Sequence, residues 1–366
     1  MSRRQINELL ETSGYMPVET PILQPADVFL DLIGEDIRAR LFTTEDESGA
    51  LMCLRPEHTI PICRHHIASG DATRTSNYGY VGPAFRFRPG ETGEFLQAGI
   101  ESIGRSDRLA ADAEIMALSA SLASAGGLSE PTTILGDNSI FEAFIDGLKF
   151  GTRAKRKLKR ALGSRTAMEA TLTEVVKSAK AGSSSALMAS VAAADTGAAR
   201  AMVEDMMQLA GIEPVGSRSA DEIAERFIAK AERENRQVSD AAITCLEALI
   251  HLQVPALDAP GLLRRLAEVS GLDVGAQVAE LADRLEAFGE RQLPTEHMVF
   301  CGWAGGRLDY YSGFSFEMRN SEDLETPPAV SGGRFDRLME QLGAGAKVPA
   351  VGAALWLDRL PEGLKP

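Results

Sequence analysis

Phe95-Leu96-Gln97-Ala98-Gly99-Ile100-Glu101 is a strand written at period two. Successive side chains of a β-strand point to opposite faces, so Gln97, Gly99 and Glu101 share one face and Leu96, Ala98 and Ile100 the other. The apolar face packs on a core. The second face sets an amide and a carboxylate on either side of a glycine, and the small residue leaves floor space for a ligand. Gln97 offers donors and an acceptor, while Glu101 accepts from an N–H and favours the charged form of its partner. An exposed polar sheet face would carry the same pattern.

Upstream, strand character recurs at Ala50 to Arg55 and Asn77 to Phe87, and the strand that opens at Phe95 runs on to Ile103. Ile6, Leu9 and Leu10 fall at helical spacing between Arg3 and Gly14, where glycine suits a helix stop. Pro17 and Pro21 bracket an extended piece, because proline disfavours helix at its own position and the one before it. Leu109 to Ala125 is alanine-rich and helical. Helix, several strands and helix joined by short turns predict an α+β design, an antiparallel sheet with helices packed on it.

Between residues 131 and 294 the texture changes. Ala220 to Arg236, Asp240 to Leu252 and Pro260 to Phe288 are periodic and alanine-rich, without strand alternation. Ala181 to Ala199 is low in complexity but keeps Leu187, Met188 and Val191, as a helix or helical linker does. We therefore expect a largely helical insertion at 131–294 in a core made of 1–130 and 295–366. Strand character returns at His297 to Gly302, Gly306 to Met318 and Val351 to Leu357, so sequence-distant strands complete the sheet.

The chain has 366 residues, 44% hydrophobic and 25% charged, enough for a sizeable core. No apolar run reaches the length of a membrane span, and Met-Ser-Arg-Arg-Gln-Ile-Asn-Glu lacks the apolar stretch of a signal peptide, so the expected location is cytoplasmic. Cys53, Cys63, Cys245 and Cys301 form no C-x-x-C pair, which indicates reduced thiols and no metal site. A net charge of −14 weighs against a large nucleic-acid surface. Lys149 to Arg165 is strongly basic against that background, and reads as a solvated helix face, a patch for an acidic partner or an RNA contact.

Three further clusters carry chemistry. In Leu54-Arg55-Pro56-Glu57-His58-Thr59, Pro56 stops the strand ladder and turns out Glu57 and Thr59, an anion beside a hydroxyl that together receive an ammonium group; such a glutamate is more often a surface or capping carboxylate. Residues 304–317, Ala-Gly-Gly-Arg-Leu-Asp-Tyr-Tyr-Ser-Gly-Phe-Ser-Phe-Glu, place Tyr311 where its hydroxyl can bond a ligand nitrogen, with core packing as the alternative. Val330 to Asp336 followed by Pro349 to Leu360 is a small-residue strand running into a helix-start arginine, suited to a phosphate or carboxylate or to tight packing.

In this order, and with Gly82-Pro83-Ala84-Phe85-Arg86-Phe87-Arg88-Pro89 leading into the Gln97–Glu101 strand, the clusters resemble the core of class II aminoacyl-tRNA synthetases of the histidine type. Gly14 to Pro25 is similar to the first class motif, whose proline, here Pro21, lies at a dimer interface. Phe85-Arg86 with Gln97 and Glu101 is similar to the second, and Gly352 to Leu360 to the third. The resemblance covers about residues 1–125 and 295–366.

The departures matter as much. Gly306 stands where the synthetases place an arginine three residues before the aspartate, here Asp309, and Arg307 follows one position later. The loop after Arg86 is shorter, Arg88 replaces an expected glutamate, and the chain stops at Pro366, so no anticodon-binding domain is expected. This set of losses resembles the regulatory subunits of ATP phosphoribosyltransferase. That resemblance implies a non-catalytic protein without cofactor or metal, bound to a short catalytic subunit in a hetero-octamer built on dimers, for the first step of histidine biosynthesis, with no tRNA or membrane partner. It implies histidine as effector, held by Glu57 and Thr59 with Gln97 at the amino group, Glu101 and Tyr311 at the imidazole and Arg86 at the carboxylate, with Arg359 as a nucleotide-site remnant. The alternatives are a truncated synthetase-like enzyme activating histidine for another acceptor, and an RNA-binding module using the basic segment.

Overall fold

The computed structural model describes residues 2–33, 35–148, 150–180, 201, 205, 239–305, 310–321 and 326–362. Helix α1 (Arg3–Thr12) is set by a capping box in which the Ser2 side chain accepts from Gln5 N–H and the Gln5 side chain accepts from Ser2 N–H. It stops where expected, with Gly14 at φ +83°. The chain continues through β1 (Met16–Pro17), β2 (Leu23–Pro25), α2 (Ala26–Leu32), α3 (Glu35–Arg38), β3 (Thr43–Glu45), β4 (Leu51–Leu54) and α4 (Thr59–Ala68). Then come the long hairpin β5 (Ser76–Phe85) and β6 (Glu94–Ile103), followed by α5 (Arg108–Ala125), β7 (Thr132–Asp137), α6 (Asn138–Gly147), α7 (Thr152–Ala161) and α8 (Arg165–Lys180). After residue 239 lie α9 (Asp240–Ile250), β8 (Gln253–Pro255), α10 (Ala259–Ser270), α11 (Gly275–Glu290), β9 (Met298–Cys301), β10 (Phe314–Arg319), β11 (Val330–Arg334), α12 (Asp336–Gln341) and β12 (Ala350–Trp356).

Nine strands form one sheet in the order β1-β5-β6-β12-β11-β10-β7-β9-β8, and β2-β4-β3 form a small antiparallel sheet beside it. The α+β reading holds. The large sheet is mixed, with β1 parallel to β5 and β7 parallel to β9, and antiparallel at its other pairings. Thr132–Asp137 and Gln253–Pro255, both inside the segment expected as a helical insertion, are strands of this sheet. Six and three residues are too short for an alternation to stand out beside the helices that flank them, and pairing with distant β10 and β9 makes them strands. Ala181 to Ala199 and Ala220 to Arg236 lie outside the described residues.

The sheet separates two apolar layers. Ala98 and Ile100 of β6 join Ile6, Leu10, Ile115, Met116, Leu122, Leu281 and Phe288, so α1, α5 and α11 cover one face. Tyr78, Tyr80 and Ile103 join Phe29, Ile60, Ile62, Cys63, Phe335 and Leu338, so α2, α4 and α12 cover the other. The face that carries Gln97 and Glu101 is thus closed over by α4. All four cysteines are buried and reduced. Among the described residues no helix is long and apolar enough to cross a membrane, and no cluster of His, Cys, Asp or Glu could hold a metal ion.

Candidate ligand-binding site

Strand register builds the floor of the site. Tyr80 lies opposite Gly99, Gly99 opposite Ala354, Ala354 opposite Ser331 and Ser331 opposite Glu317, so one row crosses β5, β6, β12, β11 and β10. Neighbouring rows pair Glu101 with Tyr78 and Gly352, and Gln97 with Gly82 and Trp356. Residues on these rows face α4, and a cavity of about 220 Å³ lies between them. Glu57, Thr59, Arg86, Gln97, Tyr311 and Arg359 all line it. Glu101 lies directly against Thr59, its Oε1 accepting from the Thr59 hydroxyl at 2.6 Å.

Glu57 is the capping carboxylate that its Pro-turn context suggests, and it is also part of the site. Its Oε2 accepts from Thr59 N–H at 2.6 Å and from the Tyr310 hydroxyl at 3.4 Å, and its Oε1 from Ile60 N–H at 3.0 Å. These bonds anchor it on the first turn of α4, where the helix dipole favours an anion. Gln97 is 1% exposed and neither its Oε1 nor its Nε2 has a hydrogen-bond partner. Glu101 Oε2 and the Tyr80 hydroxyl are likewise buried and unpartnered. Buried polar groups are nearly always bonded, and here Gln97 and Tyr80 bring three unpartnered atoms to one cavity, with Glu101 Oε2 against Gly352 of its wall, an arrangement able to receive a polar ligand.

Gly99 does not provide the open floor expected from the sequence. A Cβ there would fall 2.3 Å from the Tyr80 ring and hydroxyl, so Tyr80 fills that space, and its aromatic ring covers a strand glycine. Tyr80 also stacks on His58, ring centroids 4.3 Å apart. The close backbone approach belongs to Gly352, where a Cβ would meet Glu101 Oε2 at 1.7 Å. Tyr80, Tyr310, Glu317, Ser331 and Trp356 line the cavity without having been singled out by sequence. The period-two register from Gln97 reaches Tyr80 only once the β5–β6 pairing is known.

The arginines divide by partner. Arg86 donates through Nε to Pro56 O at 2.7 Å and lies over the Phe95 ring. Arg88 bonds Asp358 at 3.0 Å and Glu91 at 2.7 Å. Arg359 donates to Pro328 O at 2.8 Å and stacks on Trp356. Arg334, at the end of β11, is buried and bonds Asp112 Oδ1 at 2.6 and 3.1 Å and Asp336 at 2.8 Å. Asp112 Oδ2 takes Arg284 at 2.8 Å, so one helix carboxylate neutralises two core guanidinium groups. The altered hairpin positions Gly306, Arg307 and Asp309 lie outside the described residues.

Burial dominates the electrostatics. It raises the Glu57 carboxyl above its usual range, against the pull of the Ile60 and Thr59 N–H groups and the Arg86 charge. Burial raises Glu101 well above its usual range too; the Thr59 hydroxyl opposes this and the Glu57 charge adds to it. Burial also raises the Tyr80 and Tyr311 hydroxyls, aided by Glu101, and pulls Arg359 down to about 10 and His58 down to about 3. The site thus holds two carboxylates in low dielectric that a ligand N–H or ammonium would stabilise in their charged form.

The Histidyl-tRNA synthetase family matches residues 1–225, more than half of the chain. The chain is 37% identical over 346 residues to an ATP phosphoribosyltransferase regulatory subunit of Brucella anthropi, covering 94% of this chain and 92% of that one. It is 38% identical over 361 residues to one of Chelativorans sp., covering 97% and 95%. Among solved structures, an ATP phosphoribosyltransferase regulatory subunit/histidyl-tRNA synthetase from Bacillus halodurans aligns with TM-score 0.66 at 22% identity, over 99% of this chain and 78% of that one. A histidyl-tRNA synthetase from Nostoc sp. aligns with TM-score 0.62 at 17% identity, over 98% and 69%. These two likenesses bear on the fold, which is the class II synthetase-like fold.

Proposed function

The chain belongs to the family of ATP phosphoribosyltransferase regulatory subunits, and from that premise we propose that it is a cytoplasmic, non-catalytic subunit that works with a catalytic ATP phosphoribosyltransferase subunit in histidine biosynthesis and makes that enzyme responsive to histidine. The observation that carries the effector reading is the unpartnered Gln97 amide and Tyr80 hydroxyl in one cavity with Glu57, Tyr311 and Arg86, with the unpartnered Glu101 Oε2 packed against Gly352 of the cavity wall. In this reading Glu57 and Thr59, with Gln97, receive the α-ammonium group. Glu101 and Tyr311 bond the two imidazole nitrogens, and Arg86 faces the carboxylate. Arg359 remains as a nucleotide-site remnant, its charge spent on Pro328 O and Trp356. Control is a coupling free energy: histidine favours one arrangement of the assembly, and phosphoribosyl transfer another.

The assembly we propose is a hetero-octamer built on dimers of this chain through the Pro21 region. Met16 at 56%, Ile22 at 43% and Leu23 at 44% exposure flank that proline, next to edge strands β1 and β2 that need cover. tRNA has no place in it, in line with a charge of −14.

Co-expression with the catalytic subunit tests the reading. The two should co-purify, phosphoribosyl transfer should require both, and histidine should inhibit the pair. The isolated chain should catalyse neither phosphoribosyl transfer nor histidine-dependent exchange of pyrophosphate with ATP. Exchange by the isolated chain would establish the synthetase-like enzyme instead.

A further inference from the structure

Within the basic segment of the sequence, Thr152–Ala161 forms α7. Together with α6 it walls a groove of about 410 Å³, lined by Lys155, Arg156, Lys159 and Arg160 from one helix and Glu142 and Asp146 from the other. Buried Leu158 holds α7 against the core. The lysines are occupied. Lys155 donates to Asp146 O at 2.9 Å, and Lys159 lies 3.1 Å from Asp146 Oδ2 and 3.9 Å from Glu142 Oε2. Glu142 is drawn in addition by Arg337 at 2.9 Å. Arg156 and Arg160 are exposed, and among the described residues no carboxylate pairs with either. Spacing of four residues sets both on one helix face, about 5–6 Å apart at Cβ.

Four cations against two carboxylates leave a local excess of two positive charges in a chain whose total is −14. We propose that the α6–α7 groove binds a small phosphate ligand of two or more negative charges, a phosphomonoester or a diphosphate. Two points select this class. A guanidinium pair holds phosphate oxygens in forked hydrogen bonds, and a local charge of two is neutralised by a dianion and only half met by a carboxylate. The groove has the concavity and volume of a small-molecule site, whereas a long nucleic acid would meet the repulsive field of the whole chain beyond it.

The test uses the full chain and inorganic pyrophosphate as probe, titrated calorimetrically at low and near-physiological ionic strength, with acetate as the monoanionic control. One site per chain is expected, weakened by salt and silent to acetate. Arg156→Ala/Arg160→Ala should keep the circular dichroism spectrum and Tm, because both side chains are exposed, and should lose at least about tenfold in pyrophosphate affinity. No saturable heat with pyrophosphate, or equal affinity in the double variant, overturns the proposal. Tighter binding of a short RNA hairpin than of pyrophosphate, lost in the same double variant, also overturns it and assigns the groove to nucleic acid.

Discussion

The Thr59 hydroxyl donates to Glu101 Oε1 at 2.6 Å, and the N–H of the same residue donates to Glu57 Oε2 at 2.6 Å. One residue on the first turn of α4 therefore ties together two buried carboxylates from different parts of the fold. Burial raises both carboxyls, and the Glu57 charge adds to the rise at Glu101.

Histidine binding should release a proton. The empty site holds Glu101 well above its usual range, and an imidazole N–H donated to Oε2 lowers it again. Affinity should then rise with pH between the bound and free values, and calorimetry in buffers of different ionisation enthalpy should report protons leaving. Glu101→Gln should abolish that release, and Glu101→Ala should cost about 1–3 kcal/mol of binding, roughly tenfold to a hundredfold. Unchanged histidine affinity in a folded Glu101→Ala variant would place the sensor elsewhere.

Gly352→Ala should damage the same pocket from the strand side. Its Cβ would fall 1.7 Å from Glu101 Oε2 and 2.6 Å from Ile100 O, a backbone atom with little room to move. We expect overpacking to cost about 1–3 kcal/mol in urea unfolding, together with loss of measurable histidine binding. Native-like affinity would show that Glu101 can turn aside without consequence.

Asp112→Ala should be the more damaging change to stability. It leaves Arg284 and Arg334, each 1% exposed, without their shared carboxylate. Removing one side of such a buried network typically costs about 3–5 kcal/mol. Equilibrium unfolding of wild type and variant measures it, and a loss below about 1 kcal/mol would mean that Asp137, Glu280 and Asp336 suffice.

His58 gives the fold an acid-sensitive element. Its folded pKa is held down to about 3 by burial, while the unfolded value is 6.5. Between these values the unfolded chain binds the extra proton, so the contribution of a neutral His58 is full above pH 6.5 and is lost as pH falls, at up to about 1.4 kcal/mol per unit. Glu57 and Glu101, raised on folding, act in the opposite sense and lose stability as pH rises above their unfolded values. The difference in urea midpoint between wild type and His58→Gln isolates the histidine, and should shrink from pH 7.5 to pH 5 in about the proportion above. A constant difference would refute it.

The pocket was legible because its residues sit in local patterns. Gln97 and Glu101 follow the pleat of a single strand, and Glu57 and Thr59 follow a proline turn. What sequence did not reveal are the contacts that pairing creates. Tyr80 reaches the pocket only through its register with Gly99, and Asp112 looks like one more polar position in an alanine-rich helix until β11 and α11 bring two arginines to it. Thr132–Asp137 was missed as a strand because tertiary pairing, with no local signal of comparable strength, assigns its conformation.

The strand order β6-β12-β11-β10 places residues 350–356 and 330–334 between residues 94–103 and 314–319. Translation therefore delivers Gln97 and Glu101 more than two hundred residues before Gly352 and Trp356, which lie opposite them. During that interval β6 is an uncovered sheet edge on the growing chain, open to wrong strand partners. The pocket is among the last parts of the molecule to become complete, so a polypeptide released early would carry Gln97 and Glu101 without the rest of the site.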